Sequence, residues 1–141
     1  MSILTACPST AQISPPPSAS SVFRLAASRG ENGALELRWT IAVGNYLYRE
    51  KIKIQDMAGN LLAATLPPGT TEDDSNFGQT EIYHNNLSAG VPASALAGLA
   101  NLRVTYQGCA ERGICYPSLT SDVNLTTFQV TTGGTAARLR R

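Results

Sequence analysis

The chain has 141 residues, a length that suits one compact domain, and 43% of them are apolar, which is enough to bury a core. Only 15% are charged, the formal net charge is +1, and residues 22–130 contain 8 basic and 10 acidic side chains. Nucleic-acid binders need a basic face, so this balance argues against that class. The sequence has no apolar run near the ~20 residues that cross a bilayer. A single histidine, His84, argues against a His-rich metal site.

The first 21 residues are expected to form a tether outside the domain. Residues 14–21 are a run of proline, serine and alanine, which is typical of an extended linker. Before it, residues 4–7 (Leu-Thr-Ala-Cys) are similar to the lipobox of bacterial lipoproteins, in which the cysteine is lipidated. The apolar stretch ahead of Cys7 is too short for a signal peptide, so either the start is truncated or the match is accidental. Cys7 is therefore a candidate lipidation site, and an exposed cysteine without a role is the alternative.

The body of the chain, residues 22–130, alternates between apolar and polar side chains in short runs, as half-buried β-strands do. The clearest runs are residues 35–41, 51–55, 101–106 and 122–130. Residues 61–66 are expected to return as a partner strand after the turn at 56–60, and residues 92–99 suggest one helical turn. This pattern predicts an all-β domain, an immunoglobulin-like β-sandwich with Trp39 in its core. Residues 131–141 are expected to be a linker and tail.

Cys109 and Cys115 form the most informative pair, because only five residues separate them. Gly108 and Gly113 allow the backbone to turn back and bring the two cysteines within bridging range. Spacing alone favours a structural disulfide that closes a hairpin. A redox pair is the alternative, because short or exposed disulfides are the labile kind. Zinc is disfavoured, since two cysteines and one distant histidine do not fill four ligand positions.

Three ordered segments carry a family resemblance. They are residues 44–52 (GNYLYREKI), residues 77–83 (FGQTEIY), and residues 104–111 (VTYQGCAE) together with 115–117 (CYP). They resemble, in this order, a tyrosine-containing strand, the segment after a cap loop and the active-site segment of the N-terminal periplasmic domain of the thiol:disulfide interchange protein DsbD. The resemblance covers residues 22–130. It implies an immunoglobulin-like fold with a redox-active cysteine pair beside a covering cap loop.

The resemblance implies a reductant relay in the periplasm, associated with the inner membrane. The electron donor is then the thioredoxin-like C-terminal domain of DsbD. The acceptors are thioredoxin-like periplasmic proteins, namely disulfide isomerases and the reductase of cytochrome c maturation. The exchange passes through a mixed disulfide and needs neither cofactor nor metal. Cys115 matches the cysteine that attacks the partner, Cys109 matches the one that closes the internal disulfide, and the domain is expected to be a monomer, alone or fused to a membrane domain.

Other positions match the surroundings of the family's active site. Tyr46 and Tyr48 match aromatic residues that line it, with ordinary strand packing as the alternative. Asp74, in the acidic run at residues 72–74, matches an acidic residue, and a carboxylate near a thiol disfavours the thiolate. A solvated acidic loop is the alternative for this run.

The sequence departs from the family in the expected cap loop, from Glu72 to Gly78. Asn76 stands where the family has a phenylalanine over the disulfide, and Phe77 stands at the position of a second aromatic residue. Phe77 is therefore expected either to shield the sulfurs or to anchor the loop in the core.

The competing function is a non-catalytic immunoglobulin-like module, either a lipoprotein or an interaction domain, with a structural disulfide. Structural disulfides have reduction potentials below about −300 mV, whereas a relay must exchange readily with thioredoxin-like partners. The reduction potential therefore separates the two functions.

Overall fold

The computed structural model describes residues 18–74 and 78–134. Within them the chain forms two single-turn helices, α1 (Ala19–Val22) and α2 (Ala93–Leu96), and two 3-10 turns, Glu31–Gly33 and Arg49–Lys51. The strands are β1 (Phe23–Arg29), β2 (Leu35–Ile41), β3 (Asn45–Tyr48), β4 (Lys53–Asp56), β5 (Thr70–Asp74), β6 (Gly78–Tyr83), β7 (Asn86–Val91), β8 (Asn101–Tyr106), β9 (Gly108–Ala110), β10 (Leu119–Asn124) and β11 (Val130–Gly134). None of these helices is long and apolar enough to cross a bilayer.

Two antiparallel sheets form a β-sandwich, with strand orders β1-β2-β7 and β11-β10-β8-β4. Strands β2, β8 and β10 each alternate buried and more exposed residues, so each directs one face into the core. Trp39 from β2 is fully buried and packs edge-to-face on Tyr106 from β8, with ring centroids 5.6 Å apart. The predicted all-β sandwich and the core position of Trp39 are confirmed.

A third sheet, with the order β5-β6-β3-β9, extends from the sandwich and carries Cys109 in β9. Strand β3 follows β2 after a short turn, and β9 follows β8 directly, so two strands of the main sandwich lead into this sheet. The cysteine is thereby placed on a hydrogen-bonded strand that is continuous with the core.

The structure corrects four expectations about chain segments. Residues 19–21, expected in the tether, belong to α1, and the alternating run expected at residues 122–130 ends with β10 at Asn124. Residues 61–66 do not form a return strand. They make only single bridges, Gln55 to Leu61 and Thr65 to Gly90, because the segment leaves β4 and crosses to β7.

Residues 131–134, expected as linker, belong to β11 and pair with β10. The Ser121 and Thr132 hydroxyls lie 2.8 Å apart across this pair, and the consecutive β-branched residues of β11 suit an edge strand.

Candidate active site

A disulfide between Cys109 and Cys115 lies at the edge of the third sheet. On one side of β9, Cys109 is paired with Tyr46 of β3. On the other side it faces Cys115 in a single antiparallel bridge, with the two Cα atoms 3.9 Å apart. The segment with Cys115 therefore continues the sheet beyond β9 by a single bridge.

Backbone hydrogen bonds hold the two cysteine segments together, in addition to the disulfide. The Ala110 N–H donates to the Ile114 carbonyl at 2.7 Å, and the Tyr116 N–H donates to the Gly108 carbonyl at 3.0 Å. Gly113, with a φ of 106°, turns the chain between them in a conformation that favours glycine. The result is a tight hairpin whose geometry does not depend on the sulfurs alone.

Gly108 is required by close packing and not, as the spacing suggested, by the turn. A Cβ atom on Gly108 would lie 2.0 Å from the Tyr46 carbonyl oxygen and 2.7 Å from Cζ of Phe23. The Phe23 ring also packs edge-to-face on Tyr116, with centroids 5.5 Å apart. Because it has no side chain, Gly108 lets β9 lie directly against β3 and the start of β1.

The two sulfur-bearing residues differ sharply in exposure. Cys109 is fully buried, in a small cluster with Tyr48 and Ile82, whereas Cys115 is exposed. The Tyr48 hydroxyl lies 3.1 Å from Sγ of Cys109. A second protein can therefore approach the disulfide through Cys115, and Cys109 has a hydrogen-bonding hydroxyl beside its sulfur.

The structure brings both predicted tyrosines to the cysteine pair and adds two residues that sequence reasoning missed. The Tyr46 ring packs edge-to-face on Tyr48, with centroids 5.5 Å apart, and on the His84 ring at 5.9 Å. His84 Nε2 lies 3.1 Å from a carboxylate oxygen of Glu111, which stands between the two cysteines in sequence. Glu111 could have been noticed from that position, but nothing in the sequence links His84 to it.

The described residues of the expected loop from Glu72 to Gly78 lie in strands. Its first three residues end β5 and Gly78 begins β6, and Asp74 is paired with Gly78 across the two strands. β5 is an edge strand, where exposed acidic side chains such as Glu72 are tolerated. The acidic run is therefore strand and not loop.

Several predicted positions lie outside the described residues. These are Asn76 and Phe77 of the expected cap loop and Cys7 of the expected tether, together with the side chain of Asp74. Their roles stay predictions.

Comparison with known sequences identifies relatives of the whole domain. Residues 12–127 match the family model described as "Thiol:disulfide interchange protein DsbD, N-terminal". The DsbD protein of Yersinia pestis (strain Pestoides F) is 44% identical over 105 residues, covering 73% of this chain and 18% of its own length. The DsbD protein of Cronobacter sakazakii is 42% identical over 97 residues, covering 69% of this chain and 17% of its own length. The chain thus spans less than a fifth of the length of these relatives.

Two solved structures from Neisseria meningitidis have the same fold. The reduced DsbD N-terminal domain matches with a TM-score of 0.69 and 25% identity, covering 83% of this chain and 94% of that one. A complex of the DsbD and PilB N-terminal domains matches with a TM-score of 0.65 and 27% identity, covering 82% of this chain and 89% of the matched chain. Because the family model covers most of the chain and the sequence and structural relatives agree, this chain belongs to the family of DsbD N-terminal domains.

Proposed function

We propose that this domain is a periplasmic reductant relay that passes electrons between thioredoxin-like proteins by dithiol–disulfide exchange. The observation that carries the proposal is the asymmetric disulfide, with Cys115 exposed at a sheet edge and Cys109 buried behind it. A structural disulfide has no need for one accessible sulfur. Exchange does, because a thiolate must reach one sulfur along the S–S axis.

The reduced pair donates two electrons in two steps. The Cys115 thiolate attacks a partner's disulfide, so that the partner's S–S bond breaks, a mixed disulfide forms, and the released partner thiolate takes up a proton. The Cys109 thiolate then attacks Sγ of Cys115, which expels the partner's second thiolate and forms the Cys109–Cys115 bond. Overall, the partner gains two electrons and two protons, and the domain becomes oxidised.

Reduction of the oxidised domain by its electron donor follows the same steps in reverse. A donor thiolate attacks Sγ of the exposed Cys115, and Cys109 leaves as a thiolate. The Tyr48 hydroxyl, 3.1 Å from Sγ of Cys109, is placed to donate a hydrogen bond to the sulfur on which this charge develops. The proposed role of Tyr48 is therefore to stabilise the Cys109 thiolate.

The partners in this proposal are thioredoxin-like domains on both sides of the exchange. The complex of the related DsbD domain with the N-terminal domain of PilB supports a partner of this class. The proposed donor is the thioredoxin-like C-terminal domain of DsbD. The proposed acceptors are periplasmic disulfide isomerases and the reductase of cytochrome c maturation, and the proposed location is the periplasm beside the inner membrane.

Electron transfer from the reduced domain tests this function directly. The domain is reduced, freed of reductant and mixed with the oxidised PilB N-terminal domain, and alkylation of free thiols followed by electrophoresis shows which protein holds the dithiol. We expect the dithiol to move to the partner. No transfer, together with a reduction potential below about −300 mV, would identify a structural disulfide in an interaction module instead.

Replacing Tyr48 by phenylalanine tests the role of its hydroxyl. We expect reduction of the oxidised domain by dithiothreitol to slow about tenfold, because hydrogen bonds to charged groups contribute about 1.5–3 kcal/mol and Cys109 must leave as a thiolate. The rate is measured by thiol trapping at several times. Tyr116→Phe is the matched control, because Tyr116 directly follows Cys115 and its ring packs on Phe23, and this variant should react like the unaltered domain. Equal rates for Tyr48→Phe and the control would contradict the assignment.

A further inference from the structure

We propose that Ile114, in the inter-cysteine hairpin, and Val43, in the turn beside it, form an apolar docking surface for the thioredoxin-like partner in the mixed disulfide. The inference rests on the proposed function and adds to it the residues outside the sulfur chemistry that select the partner.

Both side chains are unusually exposed. In residues 18–74 and 78–134 only four large apolar side chains are exposed, and two of them are Val43, at 90%, and Ile114, at 53%. Exposed apolar residues scattered singly need no explanation, but two of them in one hydrogen-bonded unit with the reactive cysteine are a candidate interface. Ile114 directly precedes Cys115, and Val43 lies in the turn between β2 and β3.

The two residues belong to elements that are joined through the hairpin. The Glu111 N–H donates to the Gly44 carbonyl at 2.8 Å, next to Val43 in the turn. On the other side, the Ala110 N–H donates to the carbonyl of Ile114. The side-chain amide of Asn45 donates to the Val43 carbonyl at 3.2 Å and so holds the turn. The surface is therefore built on hydrogen-bonded backbone and is formed before a partner arrives.

A groove of about 340 Å³ lies between the turn and the hairpin. Its walls include Val43 on one side and Ala110 on the other, and Tyr116, which directly follows Cys115, also lines it. Glu111 and Arg112 stand at the same groove with opposite charges, so it offers no net charge to a partner. Apolar and aromatic residues together with a few polar and charged ones are the usual composition of a protein–protein interface.

The covalent intermediate determines what occupies this surface. A mixed disulfide brings the partner's sulfur to about 2 Å from Sγ of Cys115, so the partner must cover the residues next to it. Ile114 and Tyr116 are those residues in sequence. The proposed function makes that partner a thioredoxin-like domain, and the balanced charge of the groove favours a partner surface without strong net charge around its reactive cysteine.

The other two exposed apolar residues provide a matched control. Met57 and Leu61 are 47% and 69% exposed, at the turn that follows β4. This turn lies at the end of β4 where Asp56 pairs with Leu102 at the start of β8, whereas β9 and its cysteine follow the opposite end of β8. Met57 and Leu61 are therefore apolar and exposed to a degree similar to Val43 and Ile114, but they are remote from the disulfide.

The experiment compares the Val43→Ser/Ile114→Ser double variant with a Met57→Ser/Leu61→Ser double variant. Each reduced protein is mixed with the oxidised PilB N-terminal domain and, separately, with oxidised glutathione. We expect the first variant to lose about tenfold or more in the second-order rate with the protein partner, as is typical when two interface anchors are truncated. Its rate with glutathione and its urea unfolding midpoint should stay unchanged, and the control variant should match the unaltered domain in every measurement.

Each other outcome contradicts either the docking surface or the relay function. If the unaltered domain reduces the partner and the Val43/Ile114 variant does so at the same rate, the docking surface is wrong and the relay function stands. If the variant slows equally with glutathione, these residues act on the sulfurs and not on docking. If the unaltered domain fails to reduce the partner at all, the relay function and the docking surface both fail.

Discussion

The Cys109→Ala protein is expected to accumulate a disulfide-linked complex with an oxidised thioredoxin-like domain, whereas the unaltered domain releases its partner. The exposed Cys115 can still form the mixed disulfide, but no buried thiol remains to attack it. The complex should appear in non-reducing electrophoresis and disappear on addition of dithiothreitol. The partner's released second thiol can expel Cys115 again, so the reaction is quenched by alkylation at successive times. The complex is then expected as a band that the unaltered domain does not give.

The Cys115→Ala protein is the matched control, because it keeps one thiol in the same hairpin. With Cys7 replaced by serine in both variants, Cys109 is the one thiol left in Cys115→Ala. Because Cys109 is fully buried, this protein should give little or no complex. A complex that forms with Cys115→Ala and not with Cys109→Ala would reverse the two roles. Trapping by both variants alike would show that the difference in exposure does not control access.

Replacing Gly108 by alanine is expected to cause the largest loss of stability. The new methyl group would lie 2.0 Å from the Tyr46 carbonyl oxygen, which is backbone and cannot move without breaking the β3–β9 pairing. Overpacking of a well-packed core costs typically 1–3 kcal/mol, and we expect the upper end, about 3 kcal/mol. The free energy of unfolding is measured in urea with the disulfide intact.

Gly90→Ala in β7 provides the comparison, since no atom lies within 4 Å of a Cβ atom at Gly90. Its free energy of unfolding should change by at most about 1 kcal/mol. Because Gly108 precedes Cys109, Gly108→Ala should also speed reduction by dithiothreitol as β9 separates from β3. A Gly108→Ala protein as stable as Gly90→Ala would show that β9 can move away without cost.

The sandwich could be predicted from the sequence because its strands bury one face. β2, β8 and β10 alternate apolar and polar residues. That alternation predicted β2 and β8 but only the end of β10, which begins at Leu119 and ends at Asn124, whereas the predicted run covered residues 122–130. β5 carries an acidic run on an edge strand, and β11 is a threonine- and glycine-rich edge strand, so neither has the pattern of a half-buried strand. Residues 61–66 have the apolar content of a strand, but their bridges are divided between β4 and β7.

The candidate site was predictable as far as its motif extends. The residues around Cys109 and Cys115 indicated the pair, and the tyrosine-containing strand indicated Tyr46 and Tyr48. The burial of one cysteine and the exposure of the other depend on the pairing of β9 with β3, which spacing does not specify. The contact of His84 with Glu111 likewise arises only when β6, β3 and the hairpin lie side by side.

The backbone hydrogen bonds across the cysteine hairpin have a kinetic consequence. The Ala110 N–H and the Tyr116 N–H bind carbonyls on the opposite segment, so Cys109 and Cys115 stay opposite each other when the S–S bond opens. The buried thiol then faces the mixed disulfide at a high effective concentration, because little chain entropy remains to be lost. The covalent intermediate should be short-lived, and the rate at which partners meet the domain, rather than bond rearrangement inside it, should limit electron flow.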